Sequence, residues 1–172
     1  WFMLGWCASY VGNDKVWSGF VTKQEAQQRS DAGIANRLHD LMDAAEIIAG
    51  HNVDGFDLKK VNTVFMRHGL KPIVGKKTID SLKLARSKLS HESNSLDYLA
   101  QYYGFSGKDE ITKQDWKDAT AGNSKVIAKV KKYCEGDVIN GKGLLETFIP
   151  LANKKFNFGA IKKEVTQDND DD

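Results

Sequence analysis

Ala49-Gly50-His51-Asn52-Val53-Asp54-Gly55-Phe56-Asp57 decides how this chain is read. The stretch follows a short apolar run, Ile47 and Ile48, and leads into a helix-like segment, Leu58 to His68. A strand that ends in a polar turn and delivers a carboxylate at the first turn of a helix is a common frame for a metal or phosphate site. The backbone N–H groups at such a helix start add a positive end nearby. Far downstream, Tyr133-Cys134-Glu135-Gly136-Asp137 sets a Tyr and an Asp four positions apart, on one face if the segment is helical.

Around these two stretches the pattern alternates strands and helices. Phe2 to Val11 reads as a strand, Gly12-Asn13-Asp14 as a turn and Val16 to Val21 as the returning strand. Lys23 to Ala45 is predicted helical, most clearly from Asp31, where Ile34, Leu38, Leu41, Met42 and Ala45 recur at helical spacing. Glu46 to Gly50 is a short buried strand. The next helix places Leu58, Val61, Val64 and Phe65 on one face and stops at Gly69, with Pro72 beyond.

Lys77 to Asp80 is the last short strand, and Asp80 or Ser81 caps the helix that follows. Another helix starts at Ser95 and ends by Gly104. A capped short helix begins at Ile111-Thr112 and ends near Gly122. One long helix runs from Ser124 to Phe148, with Gly136 and Gly141 as weak points. The order is two antiparallel strands, helix, strand, helix, short strand, then helices only, which places the chain in the α/β class. One domain over residues 1–160 is expected, followed by an acidic, disordered tail over 161–172.

Composition narrows the partners only a little. Lys and Arg number 25 against 23 Asp and Glu, so net charge alone does not announce a nucleic-acid binder. Basic residues cluster over 71–88 and 125–132, either as a solvated face or as a nucleic-acid contact. Cys7 and Cys134 have neither metal-ligand spacing nor a disulfide framework, which points to a reducing compartment. No apolar run reaches the roughly 20 residues a membrane span requires, and no secretory signal is visible. The four histidines lack zinc-site spacing, and His51 reads as a structural hydrogen-bonding residue. Trp1, Trp6, Trp17 and Phe20 read as core residues, with base stacking as the rival.

Asn52-x-x-x-Phe56-Asp57, followed far downstream by Tyr133-x-x-x-Asp137, resembles the second and third motifs of the DnaQ-like 3′→5′ exonucleases of the tyrosine type. The family-B DNA polymerase proofreading domains are the nearest resemblance, which suggests a phage or mobile-element origin. Thr78-Ile79-Asp80-Ser81-Leu82 and Ser95-Leu96-Asp97-Tyr98-Leu99-Ala100 are similar to the segments between those motifs. The resemblance implies a ribonuclease H-like mixed sheet with flanking helices. It also implies hydrolysis of phosphodiester bonds at DNA 3′ ends by two Mg²⁺ or Mn²⁺ ions. The implied partners are a single-stranded DNA 3′ end and a replication polymerase. The implied location is the cytoplasm, or a host's cytoplasm if phage-encoded, with no membrane.

By the same resemblance Asp57 and Asp137 are metal ligands, and Tyr133 orients the attacking water. Asn52 contacts the 3′-terminal nucleotide or supports the loop, while Phe56 packs under the site. Each has a rival reading, Asp57 as a helix-dipole acid and Tyr133 with Asp137 as an ordinary helix-face pair. The family's first motif, Asp-x-Glu, precedes neither stretch here. The opening Trp1-Phe2-Met3-Leu4-Gly5-Trp6 corresponds instead to the family's second strand. The expectation is a fold whose central first strand, with two of four acidic ligands, is missing. Little or no activity, poor solubility and exposed strand edges follow from that expectation. So does a spacing of under roughly 10 Å between the Asp57 and Asp137 carboxylates, as two ions require. The alternative is a non-catalytic ribonuclease H-like module that binds nucleic acid or protein.

Overall fold

Two short strands open the fold. β1 (Gly5–Ala8) pairs antiparallel with β2 (Trp17–Phe20), placing Trp6 opposite Gly19. The glycine is required there, because a Cβ on Gly19 would come within 2.6 Å of the Trp6 indole. The computed structural model describes residues 1–105 and 110–152. The expected tail over 161–172, and the end of the domain at 160, lie outside the described residues.

α1 (Lys23–Gln28) starts at a reciprocal cap, in which Thr22 and Glu25 each bond the other's backbone N–H. It stops at Arg29, which sits in the left-handed region at φ 53°, and α2 (Ala32–Ala44) begins three residues later. The single helix expected from Lys23 to Ala45 is therefore two. The Ser30 N–H reaches back to the Glu25 carbonyl and closes the first helix without a glycine.

β3 (Ile47–Gly50) leads into a π-helical turn, Val53–Asp57, and then α3 (Leu58–Arg67). β4 (Lys77–Asp80) lies parallel to β3, with Gly50 opposite Asp80, and passes directly into α4 (Ser81–Lys88). α5 (Leu96–Tyr102) and α6 (Lys113–Thr120) start at Ser95 and Thr112, whose hydroxyls accept backbone N–H bonds as caps do. α7 (Ser124–Phe148) is a single helix of 25 residues, continuous through Gly136 and Gly141.

The α/β class is as the sequence predicts, but the strands make two separate pairs, β1 with β2 and β3 with β4. β1 and β3 are not hydrogen-bonded to each other, so the described strands form no continuous mixed sheet. α7 spans this division, packing on β1, β2 and β3 and on α4, α5 and α6. Its two ends enter different cores. Ile127 and Val130 join Phe2, Val21, Ile34, Leu38, Val64 and Phe65, whereas Leu144 and Phe148 join Ala85 and Leu99. The helix middle, with Tyr133, Asp137 and Asn140, lies between the two apolar ends. Among the described residues, no helix is long and apolar enough to cross a membrane.

Candidate functional site

The turn after β3 is built around one buried carboxylate that does not belong to it. Asp80 is 5% exposed and accepts hydrogen bonds from the Asn52 N–H at 2.9 Å and the Asp54 N–H at 3.4 Å. The same side chain accepts from the Leu82 and Lys83 N–H groups, at 3.0 and 3.3 Å, and so caps α4. A single Asp thus fastens the β3 turn to the start of α4. Sequence reading found the cap but not the second role, because its partners lie across a parallel strand pair.

The turn is tightly shaped. Asn52 takes the left-handed conformation at φ 65°, and its side chain folds over Gly55. A Cβ on Gly55 would meet the Asn52 Oδ1 at 2.3 Å, so any larger residue there would push the Asn52 side chain aside. Beside it, His51 bonds the Ser81 hydroxyl at 3.0 Å and the Asn94 carbonyl at 2.9 Å, the structural role its sequence context predicts. Asp54 pairs with Lys83 at 2.7 Å. That bond, ahead of other effects, holds the Asp54 carboxyl below the ordinary range.

Asp57 ends the turn, and its carboxylate makes no helix-capping bond. The residue opens to solvent at its surface, yet protein crowds around it. That desolvation, with the charge of nearby Asp80 added, pushes its carboxyl up to about 6. Phe56 is expected to pack beneath the site, but stands 55% exposed. The reason is local: the π-helical turn rotates it outward while Val53 takes the buried position.

The second half of the candidate site is on α7. Tyr133 and Asp137 are both half-buried, one turn apart in the helix. The Tyr133 ring meets Trp116 of α6 edge-on, with centroids 6.5 Å apart and planes at 87°. α6 is tied to α7 by a Lys129–Asp115 ion pair at 2.8 Å. Asp137 lies toward β1. The Cys7 thiol is pushed up to about 12, first by burial, then by Cys134 and Glu135, with a smaller part from Asp137.

The candidate residues stand on two elements. Asn52, Phe56 and Asp57 share one turn beside β4, while Tyr133 and Asp137 share one stretch of α7 beside β1. Asp57 and Asp137 are the hard oxygen donors that Mg²⁺ and Mn²⁺ take. Among the described residues, however, no three His, Cys, Asp or Glu converge to hold a metal ion. The donors suit such ions in kind, and the described residues alone do not complete a cage for them.

Of the four aromatic residues read as core, Trp6 and Phe20 pack against the first apolar cluster and Trp17 packs edge-on to Tyr10. Trp1 does not follow, being 60% exposed. Sequence reading also missed Asp31, buried to 1% exposure in a cluster far from Asp57 in sequence.

Residues 17–110 match the profile of a protein family described as Exonuclease (RNase_T). Protein NEN3 of Arabidopsis thaliana is 30% identical over 103 residues, which cover 59% of this chain and 19% of that relative. The chain thus spans about a fifth of the length of the curated relative it matches. No solved structure matches it.

Proposed function

The chain belongs to the exonuclease family, and from that premise we propose that it is a 3′→5′ exonuclease unit acting on single-stranded DNA 3′ ends. The observation that carries this reading is Asp57. It sits on an Asn-x-x-x-Phe-Asp turn, makes no capping bond, and has its carboxyl raised to about 6, first by desolvation and to a lesser degree by the charge of Asp80. A desolvated carboxylate with a second carboxylate nearby is suited to a cation. Asp57 and Asp137 supply two of the carboxylates for a pair of Mg²⁺ or Mn²⁺ ions, and Tyr133 sets the position of a water near Asp137. When bound, such ions supply an activated water and charge compensation at the leaving oxygen.

The remaining ligands, in this proposal, come from an Asp-x-Glu segment that pairs as a strand between β1 and β3. Its support is that β1 is paired on one side by β2 and β3 by β4, and that α7 packs over both. The motif order and the Tyr133-x-x-x-Asp137 spacing favour the type that proofreads for family-B DNA polymerases. A replication polymerase of a phage or mobile element is accordingly the proposed partner. A non-catalytic ribonuclease H-like binding module is the second reading. The missing third ligand among the described residues favours it.

Release of 3′-terminal nucleotides from single-stranded DNA with Mg²⁺ or Mn²⁺ tests both. The 172-residue chain should turn over weakly. Joining a strand that carries Asp-x-Glu ahead of Trp1 should raise the rate on the order of 100-fold. Asp57→Ala or Asp137→Ala should remove the gain. No release with the added strand gives the molecule to the binding-module reading. Robust turnover by the chain alone, lost in Asp57→Ala, overturns the proposal of an incomplete site.

A further inference from the structure

α6 meets the face of α7 that carries Tyr133 at two neighbouring points. On α7, Lys129, Tyr133 and Asp137 follow one another at one-turn intervals and so form a stripe along the helix. Asp115 pairs with Lys129 at 2.8 Å, and the next residue, Trp116, meets the Tyr133 ring edge-on at 6.5 Å and 87°. Asp115 is itself fixed, because it closes the reciprocal cap with Thr112 that starts α6. The Lys129 bond, then the Thr112 donors, bring the Asp115 carboxyl down to about 2, so the pair stays ionised at neutral pH.

Burial is a poor account of Trp116, which is 41% exposed. The apolar core takes Ile127, Val130 and Cys134 from this part of α7 instead. The ion pair adds little stability either, with Lys129 46% exposed. What the two contacts supply together is direction. Rotation about the first side-chain torsion swings the whole Tyr133 ring and its hydroxyl between staggered positions. An edge-on partner against the ring favours one of them, and the ion pair one turn earlier keeps that partner in place along α7. A hydroxyl that orients a water needs such support, since small misplacements cost rate.

We infer that Trp116 is a positioning residue, which is clamped to α7 through Asp115 and Lys129 and sets the orientation of Tyr133. The use of the Tyr133 hydroxyl on a water rests on the exonuclease reading. The clamp itself does not.

The test pairs a spectroscopic measurement with a kinetic one. NMR of the 172-residue chain with ring-labelled tyrosine reads the Tyr133 ring, and Tyr133→Phe identifies its signal. Trp116→Leu keeps apolar bulk without a ring, so the Tyr133 signal should lose the indole ring-current shift. Trp116→Phe should keep most of it. Asp115→Asn retains an acceptor for the Thr112 N–H but no charge for Lys129. It should move the signal the same way by a smaller amount. In single-turnover nucleotide release from single-stranded DNA with Mn²⁺, Trp116→Leu should lower the maximal rate about tenfold and leave the half-saturating concentration unchanged. Trp116→Phe should recover most of that loss. Melting curves show which variants are folded, and Trp116→Phe with Asp115→Asn carries the comparison if Trp116→Leu is not.

A Tyr133 signal unmoved in both Trp116→Leu and Asp115→Asn overturns the inference, whatever the rate does. A moved signal with an unchanged maximal rate overturns it too. So does a loss seen only in the half-saturating concentration, which would make Trp116 a binding residue. No release even with the added Asp-x-Glu strand removes the exonuclease reading, and the Tyr133 signal then judges the clamp by itself.

Discussion

Asp31 and Asp57 are two carboxylates that the fold treats in opposite ways. Asp31 is 1% exposed, and accepts from the Met3 N–H at 2.6 Å, from Arg67 at 2.7 Å and from His68 at 2.7 Å. Burial by itself would raise its carboxyl. The Met3, His68 and Arg67 donors outweigh that and hold it below the ordinary range. Asp57 has the reverse surroundings: desolvation and the Asp80 charge push it up to about 6. Among the described residues no ion pair answers it. The first carboxylate is saturated by donors from two chain segments, the start of the chain and the end of α3, and is finished as structure. The second is left short of positive charge at the end of a rigid turn, and a cation is what it lacks.

The difference can be broken most forcefully at Asp31. Asp31→Ala leaves the Met3 N–H without its acceptor and Arg67 without its carboxylate. It should lower unfolding free energy by about 3 kcal/mol at pH 7, as removal of one partner from a buried ionic group does. Because the folded carboxyl is depressed, its contribution is present above the unfolded value of about 4 and is lost as pH falls through the folded value. Urea midpoints at neutral pH and below pH 3 are the measurement. The gap between Asp31→Ala and the unaltered protein should narrow in acid, and a gap that stays constant would show the loss to be one of packing alone.

Asp80 is the intermediate case, a buried carboxylate that serves both structure and site. Asp80→Ala should cost about 2 kcal/mol, through lost backbone hydrogen bonds and a lost cap. Asp80→Ser separates the two roles. A serine hydroxyl caps α4 but cannot also reach the Asn52 and Asp54 N–H groups, so about half the stability should return. Hydrogen exchange reads the division directly. The Leu82 and Lys83 amides should regain protection in Asp80→Ser, whereas those of Asn52 and Asp54 should stay fast. Equal recovery at all four positions would mean the turn holds itself without Asp80.

These cases also mark what the sequence makes legible. β4 and the Asp80 cap could be placed from residue types, since cap, strand and helix meet within a few positions and the pattern is local. The Asn52–Asp57 turn was legible as motif, and its glycine fits that tight geometry. The break at Arg29 was not, because a left-handed residue that is not glycine leaves no compositional mark. The box Thr22-x-x-Glu25 did offer a signal for the first helix start. Asp31 was illegible for another reason. Its partners Met3, Arg67 and His68 belong to segments with no shared periodicity, and only the folded chain brings them together. The same is true of Lys60 between Trp1 and Phe56. Local chemistry can be read ahead of the fold; convergence of distant segments cannot.

The smallest effect should appear at Asp57, with a sign opposite to that at Asp31. A carboxyl raised to about 6 in the fold ionises near 4 when unfolded. Between those values the folded protein binds the extra proton, so stability falls as pH rises through the window. Above it the ionised Asp57 is a standing destabilisation. The full two-unit shift is an upper bound, because the side chain reaches solvent and its interactions are screened; about 1 kcal/mol is the reasonable size. Asp57→Asn removes the charge while keeping the shape. It should therefore raise the melting temperature at pH 8 by a few degrees and leave it unchanged at pH 4, where both side chains are neutral in the fold. A site that becomes more stable when its acid is neutralised, and loses nucleotide release in the same variant, is one where charge is held for a ligand rather than for the fold. If Asp57→Asn instead lowers the melting temperature at pH 8, Asp57 belongs with Asp31 among the structural carboxylates, and the contrast between the two regions is lost.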